Sequence, residues 1–83
     1  MADKPNRILD TSGLADPEPL AEAKKELDAM GAGEILELVV TDPGTAEKVE
    51  GWLPGSGATL AKETDIPETL GIEKRWVYYL KKS

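Results

Sequence analysis

Hydrophobic positions along this chain switch between two periods. From Leu20 through Ala23 and Leu27 to Met30 they recur at three- and four-residue steps. That spacing draws one apolar stripe on a helix beginning after Asp16 and running to about Met30. Lys24 and Asp28 fall one turn apart on its wet face, spaced to pair, and Gly31 and Gly33 stop it. From Glu34 to Thr41 the period is two: Leu36, Leu38 and Val40 share one face, and Ile35 and Val39 share the other with Glu37 and Thr41. One fully apolar face and one mixed face predict a sheet covered by helices on one side only.

The same reading extends to both ends. Arg7 to Thr11 forms a short first strand closed by Ser12-Gly13, with Asp10 as a strand-end turn residue. Asp42-Pro43 joins a capping side chain to a proline suited to the first helical turn, and so opens a second helix. Ala46, Val49 and Trp52 or Leu53 line its buried side, and Pro54 to Gly57 end it. Residues 58–64 form a third strand with weak alternation, and 65–73 a longer connection with prolyl and glycyl turn signals. The last strand, 75–81, sets Trp76, Tyr78 and Leu80 on one face and Val77 and Tyr79 on the other. The order β-α-β-α-β-β predicts an α+β fold, a two-layer sandwich with two helices on one face of a four-stranded mixed sheet. The 83 residues make one domain, 1–83, with a modest core.

Composition narrows the chemistry. The chain has no cysteine and no histidine, so there is no disulfide framework, no thiolate metal site and no imidazole base. No metal or cofactor is expected. A net charge of −6 argues against a direct grip on nucleic acid or on an anionic membrane surface. Met1 to Asn6 has no apolar stretch of the kind a signal peptide needs, and Leu38-Val39-Val40 is far too short to span a bilayer. The expectation is a small, acidic, cytoplasmic monomer. Gly55-x-Gly57 follows a helix instead of opening one, so it is no phosphate loop. The aromatic residues read as packing, and Lys74-Arg75 and Lys81-Lys82 as surface charge.

The candidate site is Gly13-Leu14-Ala15-Asp16-Pro17-Glu18-Pro19-Leu20, a loop turning abruptly into a helix. Asp16 is placed to cap the open amides of the first turn, Pro17 to take its first position, and Glu18 to add charge where the helix dipole is positive. Asp10, Gly13-Leu14, Pro17-x-Pro19-Leu20 and Lys24-Lys25 together resemble the signature of the TusA/SirA-like sulfur carriers. Gly33 to Glu37, the Asp42-Pro43-Gly44-Thr45 turn and Gly57 to Leu60 follow the same plan. In that family a persulfide-bearing cysteine stands between the Gly-Leu pair and the Pro-x-Pro; the matching residue here is Asp16. A carboxylate offers no sulfur to exchange.

The resemblance implies a relay of sulfane sulfur from a cysteine desulfurase or rhodanese to acceptor proteins, serving tRNA thiolation, cofactor biosynthesis or sulfur oxidation. It marks Gly13, Leu14, Pro17, Glu18, Pro19, Lys24 and Lys25 as the surface met by protein partners. This chain would keep that surface without the cargo group. The alternative is a binding or regulatory module using the same surface. A third reading, an enzyme with Asp16 as carboxylate nucleophile, would need Glu18 as its partner acid.

Overall fold

A computed structural model describes residues 4–69, 71 and 73–83. Met1 to Asp3 of the opening segment, and Leu70 and Ile72 of the predicted connection, lie outside the described residues. The elements run β1 (Arg7–Asp10), α1 (Glu18–Asp28), β2 (Ile35–Val40), α2 (Pro43–Trp52) with a 3-10 turn at Leu53–Gly55, β3 (Ala58–Ile66) and β4 (Arg75–Lys82). The four strands form one sheet in the order β1-β2-β4-β3. β1 and β2 are parallel, as the α1 crossover requires, and β4 is antiparallel to both β2 and β3. The α+β sandwich read from the periodicity is the architecture observed.

The core lies where the stripes meet. Leu20, Ala23, Leu27 and Met30 pack on Leu36, Leu38 and Val40, with Val49 from α2 and Tyr78 and Leu80 from β4. Leu9, Leu60, Trp52, Leu53 and Trp76 close its margins. α1 ends at Asp28, but the N–H groups of Ala29 and Met30 donate three residues back, to Glu26 and Leu27. That tightened last turn keeps Met30 in the stripe.

One boundary and two residue roles depart from the expectations. β3 runs on to Ile66, because Thr64, Asp65 and Ile66 pair with Val77, Trp76 and Arg75. A register shift between Leu60 and Lys62 breaks its alternation, so the period-two signal fades there. α2 buries Thr45 together with Val49, whereas Ala46 is only half-buried. Lys82 is not merely surface charge: its Nζ donates to the Leu27 carbonyl at 2.6 Å, a second bond to an oxygen at the end of α1 that already accepts from Met30. Its backbone also pairs with Glu34 and Gly33, lengthening the ladder. Among the described residues, no helix is long and apolar enough to cross a membrane.

Candidate functional site

The segment from Thr11 to Pro17 leaves the end of β1 and crosses toward α2 before α1 begins. Its shape comes from local bonds. The Asp10 carboxylate accepts from the Ser12 amide at 2.9 Å and from the Ser12 hydroxyl, which together hold its carboxyl below the usual value. Asp10 is thus the strand-end turn residue expected. Leu14 N–H donates to the Thr11 carbonyl at 3.0 Å, and Gly13 adopts φ +85°, a left-handed turn that favours glycine. The buried Thr11 hydroxyl donates to the Val39 carbonyl, and Gly13 N–H donates to Thr41 Oγ1, fastening the loop to β2.

Asp42 organises the rest. Its Oδ2 receives the Thr45 amide at 3.1 Å and the Thr45 hydroxyl at 2.7 Å, the N-cap expected for α2, with Pro43 at the first helical position. The same oxygen also receives the backbone N–H of Asp16 at 2.9 Å. Chiefly the Thr45 hydroxyl, and next the Asp16 amide, hold the Asp42 carboxyl below its ordinary range. One carboxylate therefore caps α2 and ties the candidate loop to it.

Asp16 itself does not cap α1, which corrects the sequence expectation. Pro17 occupies the cap position with no side-chain hydrogen bond, and the Asp16–Pro17 peptide is cis. The physical reason is a shortage of donors: Glu18 commits its N–H to the Ala15 carbonyl at 2.9 Å, and Pro19 has none. The Asp16 carboxylate turns instead to Lys48 on α2, with Oδ2 and Nζ 2.6 Å apart. That pairing favours the charged ammonium and raises the Lys48 pKa. The Asp16 side chain is 29% exposed and that of Lys48 61%, so the pair is open to solvent on one side.

The loop stands between two depressions. Asp16, Pro17, Leu20, Ala21 and Lys24 of the α1 side face Lys48 and Trp52 of α2 across a shallow cleft of about 640 Å³. A smaller hollow of about 300 Å³ lies on the other flank, among Gly13, Leu14, Ala15, Asp42 and Glu73. Of the residues expected to meet partners, Gly13, Pro17 and Glu18 are exposed and Leu14 is half-buried. Pro19 is fully buried, so it can stiffen the first turn but cannot offer a contact. Lys24 reaches the cleft rim and makes the expected pair with Asp28 at 2.7 Å. Lys25 points elsewhere, toward Glu22 at 3.8 Å, and is outside the cleft lining. Glu18 is exposed and is not among the residues that line the cleft with Asp16.

Lys48, Trp52 and the double duty of Asp42 were missed in the sequence. Only Asp42 carried a signal, its capping position; Lys48 lies 32 residues from Asp16, and nothing local links them. Chemically the site offers a fixed carboxylate–ammonium pair beside an apolar wall. No cluster of three metal-ligating side chains occurs among the described residues.

Residues 7–82 match the family model described as Sulfurtransferase TusA. The chain is 34% identical over 74 residues to the "Putative sulfur carrier protein YrkI" of Bacillus subtilis, covering 89% of this chain and 95% of that protein. It is 37% identical over 57 residues to the sulfur carrier protein TusA of Allochromatium vinosum, covering 69% and 75% respectively. A second Bacillus subtilis protein described as YrkI is, YrkF, matches at 40% over 50 residues, which span 60% of this chain and 27% of YrkF.

Proposed function

Because the chain belongs to the TusA family of sulfurtransferases, we propose that it acts in sulfur relay by docking, as a carrier-type protein that presents Asp16 at the place the family resemblance assigns to a persulfide-bearing cysteine. The observation that carries this reading is the placement of residue 16. Its backbone is tied to Asp42, its carboxylate is held by Lys48, and the exposed Gly13 and Pro17 flank it at the head of α1. With no thiol in these 83 residues, the chain takes up no sulfane sulfur of its own.

A carboxylate carries its negative charge two bonds beyond Cβ, as a persulfide anion does. The fitting partner is therefore a protein that recognises a loaded carrier: a relay acceptor, or a desulfurase or rhodanese holding its product. Charge around the loop, from Glu18 and Lys24 as well as the Asp16–Lys48 pair, would tune association rate and partner choice more than affinity. The reading puts the protein in the cytoplasm, bound to other proteins and to neither nucleic acid nor membrane. Which pathway it serves, tRNA thiolation or another, follows from the partner it meets.

The test is sulfur loading. Incubated with a cysteine desulfurase and cysteine, the chain should show no gain of bound sulfur by intact mass, and it should slow transfer from a loaded carrier to its acceptor. Asp16→Cys should load. Sulfur uptake by the unaltered chain, or a folded Asp16→Cys variant that stays unloaded, overturns the proposal.

A further inference from the structure

The face of the sheet turned away from the helices is uncovered among the described residues. The molecule is 17 Å across its shortest dimension, one helix layer and one sheet. Strand register sets a row straight across that face: Ile8, Glu37, Tyr79 and Lys62, on β1, β2, β4 and β3. In the next row Val39 pairs with Val77, both closed off by their neighbours. The two large aliphatic side chains left most open in the described molecule belong here: Ile8 is 66% exposed and Ile66, paired with Arg75, is 46% exposed. A lone exposed isoleucine is ordinary. Two at opposite corners of one sheet face, with the half-buried Tyr79 between them, leave apolar surface open at both of its edges.

Charge on this face is divided. Asp10 and Glu37 lie on β1 and β2; Arg75, Lys81 and Lys62 lie on β4 and β3. On a chain of net charge −6, this face carries three cations against two carboxylates. We propose that this face packs against the same face of a second copy of the chain, in a two-fold dimer whose axis runs parallel to the strands. That operation keeps the rows but reverses the strand order, so β1 lies over β3 of the second copy and β2 over β4. Ile8 then meets the aliphatic stem of Lys62, whose ammonium reaches toward Glu37, and each such contact occurs twice. An axis across the strands would instead lay β1 on β1 and β3 on β3, setting like charges together. Four strands at about 4.8 Å spacing, about six residues long at roughly 3.3 Å each, make a face of about 19 by 20 Å, or roughly 400 Å². That is smaller than the roughly 800 Å² a side of a standard interface, so the dimer is reversible and concentration-dependent.

Sedimentation of the intact chain in low-salt buffer, from about 10 μM to about 1 mM, tests this, with the mass expected to climb from 8.9 kDa toward twice that value. Glu37→Lys and Lys62→Glu should each weaken association by roughly tenfold, since each reverses two symmetry-related pairs at once. The double exchange Glu37→Lys with Lys62→Glu should recover it. Ile8→Glu, at a site too exposed to disturb the core, should abolish it, with circular dichroism confirming the fold. A monomer at every concentration, a dimer indifferent to Ile8→Glu, or a double exchange no tighter than the single variants each overturns the arrangement.

Discussion

Thr45→Val isolates the junction at which Asp42 holds both the second helix and the candidate loop. Thr45 is fully buried, and its hydroxyl lies 2.7 Å from Asp42 Oδ2, the oxygen that also receives the Asp16 amide. Valine has the same branched shape and nearly the same helix propensity, so neither a cavity nor a backbone penalty enters. What is lost is one hydrogen bond to an ionised acceptor, worth about 1.5–3 kcal/mol. A domain of 83 residues has roughly 4–12 kcal/mol of stability in all, so the change is large. With a urea m-value of about 1.5 kcal/mol/M, the unfolding midpoint should fall by about 1–2 M at neutral pH. The loss must also depend on pH with a definite sign. Asp42 has a lowered folded-state pKa, so its ionisation stabilises the fold above the ordinary value of 3.8 and ceases to do so as pH falls through the lowered value. The Thr45 hydroxyl is the largest cause of that lowering. The gap between parent and variant should therefore be full at pH 7 and narrow below about pH 3.8. A neutral substitution at pH 7, or a gap that stays constant down the acid limb, would refute the assignment of Asp42 as the shared acceptor.

Three further outcomes follow from the geometry. Asp16→Ala should cost no more than about 1 kcal/mol in a denaturant titration, because it breaks a solvent-open ion pair and not a helix cap; a loss near 2 kcal/mol would restore the capping role. Gly13→Ala should cost about 1–2 kcal/mol, from the positive φ alone, since an added Cβ would meet no atom within 4 Å; Gly13→Asn should cost less. Burial, with Glu63, Glu50 and Asp65 nearby, pushes the Tyr78 hydroxyl up to about 12. Its folded-state pKa is raised, so it favours the fold below the ordinary value of 10 and that contribution is lost as pH climbs toward 12. An absorbance titration should show one phenol ionising late, and Tyr78→Phe should remove that step and flatten the alkaline loss of stability.

How much could be read in the sequence depended on how local the cause was. The α1 stripe, the two faces of β2 and the Asp42-Pro43 start of α2 all stand in the structure, because each is decided within a turn or a strand. Asp16 misled for an instructive reason. Its residue type and position match a cap, but the Pro-Glu-Pro run that follows leaves little to be capped, and its carboxylate pairs across a helix–helix gap that no local pattern encodes. The last two residues of β3, Asp65 and Ile66, fell outside the strand read from sequence because the end of β3 is exposed, leaving charge and threonine in place of alternation. Lys82 read as a surface charge because its acceptor, the Leu27 carbonyl, is 55 residues away.

The strand order has a consequence for how the molecule comes into being. β4 is the last element in the chain, yet it lies inside the sheet, bonded to β2 on one side and β3 on the other. Until residues 75–82 have been synthesised, β3 has no neighbour, β2 has only the four residues of β1, and the C-terminal end of α1 lacks its lysine clasp. This domain cannot fold by instalments as it leaves the ribosome. A chain cut short before Arg75 would be left with the β1-α1-β2-α2 unit and an unpaired β3, and no strand to join them.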